Sequence, residues 1–104
     1  MNTVFIEGNT AAIKMNEKGN FCSFSLAENV SFKKDDEQVT ETHWYNIVAF
    51  NNTAKFIERN VVPGDKVLIE GRLTTNSYEK DGQEITVLQI VAQNVRVTMR
   101  KQEK

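Results

Sequence analysis

Residues 44–50 read Trp-Tyr-Asn-Ile-Val-Ala-Phe, a run that alternates like a β-strand yet is apolar on both faces. Its two rows are Tyr45, Ile47 and Ala49 on one side and Trp44, Asn46, Val48 and Phe50 on the other. Because successive side chains of a strand point to opposite faces, the first row can enter a core while the second presents two aromatic rings elsewhere. Such a face suits stacking on unpaired nucleobases. A strand buried on both sides would give the same pattern, and the run alone favours that simpler interpretation.

Most of the remaining chain also reads as strands. The predicted strands are Thr3–Glu7, Phe21–Ala27, Lys66–Leu73, Leu73–Tyr78, Glu84–Ala92 and Asn94–Met99. Asp81-Gly82 is typical of a tight hairpin turn. Gly71, inside a strand, indicates a bend, a bulge or a close approach of two backbones. The polar residues after Gly8 continue the chain without a predicted strand, and the charged residues 33–42 predict a solvated loop or the tip of a ribbon.

One helix is predicted between the third and fourth strands. Asn51-Asn52-Thr53 supplies capping residues for its start, and Pro63-Gly64 ends it. Its buried side has helical spacing and comprises Ala54, Ile57 and Val61. Five strands with one interposed helix predict an all-β fold, the five-stranded Greek-key barrel known as the OB-fold, which binds oligonucleotides and oligosaccharides. We assign residues 1–100 to this domain and residues 101–104 to a short polar C-terminal end.

Composition narrows the function classes. A chain of 104 residues with a formal net charge of −1 lacks the basic excess of proteins that hold duplex DNA by bulk charge. We therefore expect stacking, rather than charge, to carry most of any nucleic-acid affinity. The single cysteine, Cys22, alternates with Phe24 and Leu26 and is expected to be buried. Neither a membrane-spanning run nor a signal pattern is present, so a cytoplasmic location is expected.

No motif points to catalysis or to a cofactor. The one histidine, His43, has no cysteine or second histidine near it in sequence, so we expect no metal site. The cluster Asp35-Asp36-Glu37 lacks the spaced glycine and distal glutamate of a calcium loop. The chain is expected not to be an enzyme.

The order of several motifs resembles the bacterial-type single-stranded DNA-binding protein family. The resemblance runs through Asn2–Gly8, Phe24–Ala27, Glu41–Phe50 and Pro63–Leu73 to Tyr78 and Asp81–Gln83. The sequence ends Arg100-Lys101-Gln102-Glu103-Lys104, before the family's flexible linker and acidic tip, as is expected either of a truncated chain or of a short member of the family. Several positions where relatives carry lysine or arginine hold neutral residues here, Asn46 among them.

The resemblance implies a set of DNA-binding residues. Trp44, Phe50, Tyr78 and Phe32 match the family's base-stacking aromatics. Independently of the resemblance, Lys33, Lys34, Arg72 and Lys80 are candidates for phosphate contacts because they lie near the predicted aromatic face. Each has a plainer alternative, because Trp44 could be a core residue, Tyr78 could brace a hairpin, and any basic residue could simply be solvated.

The resemblance also implies a function and an assembly. It implies sequence-independent binding of single-stranded DNA in replication, recombination and repair, with protein partners from those processes and a location with the nucleoid. It implies a homotetramer built as a dimer of dimers, with a dimer as the other possibility. Because a small barrel leaves a sheet edge that is normally covered, the strand Thr3–Glu7 is a candidate to pair across a two-fold axis. The alternative function is that of a primosome-type accessory protein acting mainly through protein–protein contacts. A nuclease on the same scaffold would require a cluster of acidic metal ligands.

Overall fold

Five strands close into a barrel in the order β1-β2-β3-β5-β4, with β4 pairing back onto β1. The computed structural model describes residues 1–101. The elements are β1 Val4–Met15, β2 Phe21–Lys34, β3 Glu37–Phe50, α1 Asn51–Asn60, β4 Lys66–Lys80 and β5 Gln83–Met99. Every pairing is antiparallel except that of β3 with β5. The predicted all-β five-stranded barrel, with its helix between the third and fourth strands, is confirmed. Residues 102–104 of the predicted polar end lie outside the described residues.

The core fills the barrel with one side of each strand. Leu26, Ile47 and Ile69 are fully buried, and α1 adds Ala54 and Ile57. Cys22 is buried as predicted, and burial raises the pKa of its thiol. Burial of a large aliphatic side chain contributes about 1.5–3 kcal/mol, so these core residues together supply most of the favourable free energy of folding.

Two strand pairs are longer than the sequence predicted. From Glu28 and His43 outward, β2 and β3 pair only with each other, up to a two-residue turn at Asp35 and Asp36. This two-stranded extension of the barrel is the first of two ribbons. The expected loop over residues 33–42 is therefore wrong, although its alternative, a ribbon tip, describes the turn. Both turn residues have positive φ, 52° and 66°, as a tight hairpin turn requires. The ribbon was missed because a strand pair with solvent on both faces carries no apolar alternation.

The second ribbon joins β4 to β5 through the predicted Asp81-Gly82 turn, which is confirmed. The predicted strands Lys66–Leu73 and Leu73–Tyr78 are parts of one continuous strand, β4. The two predicted segments of β5 are also continuous, with an irregularity in the pairing beside Gly71. A Cβ atom on Gly71 would collide with the carbonyl oxygen of Val91, so the predicted close backbone approach is confirmed.

β1 continues past Gly8, where the sequence analysis ended it. Its first half, Val4–Asn9, pairs with β4, and its second half, from Asn9 to Met15, pairs with β2. This exchange of partners is what closes the barrel. The second half contains an irregularity between Ala11 and Lys14, which hides its alternation in the sequence.

The helix begins at Asn51, but the predicted side-chain cap is wrong. Phe50 occupies the N-cap position, and no side chain caps the helix. The reason is that Asn51 turns the corner from strand to helix with φ 54°, while its backbone N–H donates to the carbonyl of Asn20. The predicted buried side is confirmed, and the helix ends before Pro63.

A buried carboxylate ties the end of β5 to the turn before β4. Asp65 is 1% exposed, and its side chain accepts hydrogen bonds from the backbone N–H groups of Val62, at 3.0 Å, and Lys101, at 2.7 Å. The Arg100 guanidinium lies 3.2 Å from Oδ2. Burial alone would raise the pKa of Asp65, but these hydrogen bonds and the Arg100 charge hold it below the ordinary value of 3.8.

We predict that Asp65→Asn lowers the free energy of unfolding by about 2–3 kcal/mol at neutral pH, because the buried groups lose their charged acceptor. The folded carboxyl has the lower pKa, so the unfolded state binds protons first on acidification. The stabilisation is therefore complete well above pH 3.8 and is lost as the pH falls through the folded pKa. Urea unfolding at a series of pH values measures it.

The exposed turn variant Asp81→Asn is the control, with an expected change within about 0.5 kcal/mol. If the difference in the free energy of unfolding between wild type and Asp65→Asn stays constant from neutral pH down to about pH 3, the ionised Asp65 carboxylate is not the stabilising group.

Candidate nucleic-acid interface

One continuous sheet face runs across β2, β3, β5 and β4. Val48 of β3 pairs with Val91 of β5, while the core residue Ile47 pairs with Ile90, so the two ribbons present the same side outward. We call this side the outer surface. It consists of the odd-numbered residues 21–33 of β2, the even-numbered residues 38–50 of β3, the odd-numbered residues 83–91 of β5 and the even-numbered residues 72–80 of β4. The reverse face carries the other residues of these segments and continues into the core.

Three of the four predicted aromatics lie on the outer surface. Trp44 is 61% exposed, Phe50 48% and Tyr78 49%. Phe50 contacts Phe21, its partner across the β2–β3 pair, with ring centroids 5.1 Å apart and planes inclined at 54°. The plainer interpretation of Trp44 as a core residue is wrong. Within the predicted outward row, Val48 is nevertheless buried, because its neighbours on β2 and β5 cover its short side chain.

Charges are segregated between the two faces. The outer surface carries Lys33, Arg72 and Lys80, and none of its residues is acidic. The acidic residues of the paired segments all lie on the reverse face and are Glu28, Glu37, Glu41, Glu79 and Glu84. A chain with a net charge of −1 thus offers an outer surface that is positive or neutral throughout. The net charge did not reveal this separation.

Two predicted residues lie apart from the rest. Phe32 pairs with Val39, and Lys34 pairs with Glu37, which places both on the reverse face of the ribbon. Phe32 is 38% exposed, less than the other three aromatics. The structure therefore brings together six of the eight predicted residues and leaves Phe32 and Lys34 on the opposite side.

Lys14 also borders the outer surface, although its sequence position did not predict this. This residue pairs with Ser23 of β2, and Ser23 is part of the outer surface. Lys14 lines a shallow groove with side chains of β2, β3 and β5, among them Asn46 and Gln89. The signal that could have found it is the alternation Ile13-Lys14-Met15, since the two apolar neighbours both pack against the core.

Hydrogen bonds between side chains stiffen the ribbon between Trp44 and Lys33. Thr42 donates to Oδ1 of Asn29 at 2.7 Å, and the hydroxyls of Ser31 and Thr40 lie 3.2 Å apart. All four residues belong to the outer surface. The backbone ladder sets the spacing of the two strands, and cross-strand pairs of this kind stabilise the ribbon by about 0.2–1 kcal/mol each where it leaves the barrel.

The reverse face carries the polar groups with local partners. Tyr45 donates to Glu28 at 3.0 Å, and burial, this hydrogen bond and the Glu28 charge raise the pKa of its phenol. His43 lies 3.4 Å from Glu41. Within residues 1–101, no three histidine, cysteine or acidic side chains are grouped as metal ligands, and no helix is long and apolar enough to cross a membrane.

Comparison with known proteins gives one family. The model of the family described as "Single-strand binding protein family" matches residues 1–98. Among curated proteins, the single-stranded DNA-binding protein of Fusobacterium nucleatum is 32% identical over 100 residues, 91% of this chain and 65% of the relative. That of Aquifex aeolicus is 33% identical over 78 residues, 74% of this chain and 53% of the relative. The chain therefore spans about half to two thirds of the length of these relatives.

Solved structures share the fold. A Plasmodium falciparum protein, solved as an SSB complex with ssDNA, has a TM-score of 0.78 at 22% identity, covering 93% of this chain and 94% of its own. A mitochondrial single-stranded DNA binding protein of S. cerevisiae has a TM-score of 0.73 at 21% identity, covering 97% of this chain and 98% of its own. At these identities the likeness establishes the barrel and its ribbons.

We predict that Trp44→Ala changes the free energy of unfolding by less than about 0.5 kcal/mol, because the ring is mostly solvated. Phe50→Ala should cost about 0.5–1.5 kcal/mol more than Trp44→Ala, because it also removes the contact with Phe21. Urea unfolding followed by circular dichroism measures both. Loss of the fold in Trp44→Ala would mean that the ring is part of the core after all.

Proposed function

The chain belongs to the single-strand binding protein family, and from this premise we propose that it binds single-stranded DNA without regard to sequence. It protects the strand during replication, recombination and repair. The observation that carries the proposal is the outer surface, where three exposed aromatic rings and several cations share one sheet face that has no acidic residue. The proposal includes no catalytic step and no cofactor.

The rings supply affinity that does not depend on sequence. Every base has a π-face, and stacking a base on an aromatic side chain contributes about 1–3 kcal/mol in proteins that bind single strands. Trp44, Phe50 and Tyr78 together therefore support binding in the micromolar range or tighter, although such contributions do not add fully.

The cations of the outer surface can bind phosphates even though the net charge of the chain is −1. Lys33, Arg72 and Lys80 lie on the same surface as the rings. The carboxylates of the paired strand segments are on the reverse face, and the turns add Asp35 and Asp36 near Lys33 and Asp81 beside Lys80. Charges separated by more than about 8 Å are largely screened at physiological salt, so the local separation of charge matters more than the total. Counterion release at these residues gives binding a real salt dependence.

Phe32 and Lys34 take part only in binding longer strands under this proposal. They lie on the reverse face, which a short strand stacked on the outer surface does not reach. A longer strand that passes around the ribbon edge meets them.

An apolar patch supports assembly into a homotetramer built as a dimer of dimers. Phe5 is 67% exposed and Leu88 59%, and both line a wide, mainly apolar depression of about 800 Å³ together with Leu73. Trp44 also lines this depression, so the patch adjoins the outer surface. The segment Val4–Gly8 pairs with β4 alone, which leaves its other edge open for a second copy. We place the protein in the cytoplasm, associated with the nucleoid. Its proposed protein partners are replication and repair proteins.

We predict that oligo(dT) of about 8 nucleotides quenches the fluorescence of Trp44, the only tryptophan of the chain, and that duplex DNA of equal length does so weakly. Tyr78→Ala should weaken binding of the same oligonucleotide about 5- to 100-fold, because one stacking site is lost. Unchanged emission on titration at low salt would refute the proposed function.

Phe32→Ala is the matched aromatic control. It should leave the affinity for the short oligonucleotide unchanged and weaken binding only of strands several times longer. Equal losses for Phe32→Ala and Tyr78→Ala on the short strand would show that the two faces do not differ in the proposed way.

We predict that Leu88→Glu reduces the mass in solution, measured by light scattering, from that of a tetramer to that of a smaller species, because a charge is placed in the apolar patch. Phe56→Glu, at an exposed apolar residue of α1, should leave the mass unchanged. A wild-type mass equal to one chain would overturn the proposed assembly, whereas a dimer would favour the accessory function set out above.

A further inference from the structure

A β-bulge in β1 sets the direction in which Lys14 points. Ala11 pairs with Ser25 and Lys14 pairs with Ser23, so three steps along β1 match two along β2. The bulge contains Ala12, whose φ of 54° lies in the left-handed region, which is uncommon for alanine. Bulges that hold an unfavourable backbone conformation are typical of sites where a side chain must be re-aimed.

The bulge reverses the alternation of the strand. Before it, the even-numbered residues Ile6, Gly8 and Thr10 are buried. After it, the odd-numbered Ile13 and Met15 pack against the core. Without the extra residue, Lys14 would be directed into the barrel, and with it the lysine stands on the outer side opposite Ser23.

The groove that Lys14 lines lies between two of the exposed rings. Its wall on β3 comprises Asn46 and Val48, which separate Trp44 from Phe50. The two ring positions are six residues apart along β3, which corresponds to about 20 Å. A single strand that stacks a base on each ring and follows the shortest path between them passes over this groove.

The charge in the groove is unopposed. Lys14 is the one charged residue of its lining, whose other polar members are serine and amide side chains. The ion pairs found within residues 1–101 are His43–Glu41, Lys66–Glu7 and Arg100–Asp65, and Lys14 is in none of them. An ammonium group without a carboxylate partner is suited to an anionic ligand.

We infer that Lys14 is a phosphate-binding residue, which holds one backbone phosphate of single-stranded DNA as the strand crosses from Trp44 to Phe50. The Ala12 bulge is the feature that positions it. This inference rests on the proposed function, which it deepens by assigning a phosphate subsite between two stacking rings.

Binding of dT oligonucleotides to Lys14→Gln, measured by fluorescence quenching over a range of salt concentrations, tests the inference. Each neutralised phosphate contributes about 0.7 to the slope of log K against log salt for single strands. The expected result is a slope reduced by about 0.7 in the variant, with affinity several-fold weaker at low salt and closer to wild type at high salt. Lys14→Arg should keep the wild-type slope.

Lys66→Gln is the matched control, because it removes the same charge from the chain at a residue paired with Glu7, on the β1–β4 side of the barrel. It should leave the slope unchanged. An oligonucleotide with uncharged methylphosphonate linkages should bind wild type and Lys14→Gln equally, since the variant lacks only a phosphate contact.

The possible outcomes distinguish failure of the proposed function from failure of the phosphate subsite. Wild type that binds no oligonucleotide would remove the proposed function itself. Wild type that binds, with equal slopes for Lys14→Gln and Lys66→Gln, would overturn only the phosphate subsite. A loss that persists on the uncharged strand would also overturn it, because Lys14 would then be acting on the base or on the shape of the groove. Circular dichroism of each variant verifies that the barrel is folded.

Discussion

The short parallel pairing of β3 with β5 fixes the relation between the two halves of the sheet. It comprises only Ile47 with Ile90 and Val48 with Val91, yet it sets which sides of the two ribbons face the same way. A slip of one residue in a strand register moves every side chain to the opposite face. After such a slip Trp44 and Tyr78 would stand on different sides of the sheet. The shared surface thus depends on the burial of Ile47 and Ile90, which makes the correct register the one of lowest free energy.

Much of this arrangement could be predicted where burial imposes a pattern. The inward row of β3 and the apolar side of α1 alternate or recur at the expected spacing because both face the core. The hairpin of the β4–β5 ribbon was predicted from its Asp81-Gly82 turn. The length of the β2–β3 ribbon could not be predicted, since solvent on both faces removes the apolar alternation over residues 33–42. The bulge at Ala12 escaped for a related reason, because a single extra residue shifts the phase of the pattern halfway along β1.

The same argument explains which binding residues sequence alone could assign. Trp44 and Phe50 share a face by their spacing within one strand, and the structure agrees. Phe32 has the parity of the core residues Phe24 and Leu26, so it lies on the reverse face because β2 is continuous from Phe21 to Lys34. A strand predicted to end at Ala27 assigns it no face. The net charge was uninformative for a related reason, since a total near zero conceals that the acidic residues of the paired segments all lie on one face.

The buried Cys22 has a practical consequence for work on this molecule. Its thiol has no exposure to solvent, and the raised pKa keeps it protonated at neutral pH. Alkylating reagents therefore reach the sulfur only when the barrel opens, so the rate of its modification reports on that opening. A second cysteine introduced at an exposed position accepts a fluorescent or spin label selectively in the folded protein, without prior removal of the native thiol.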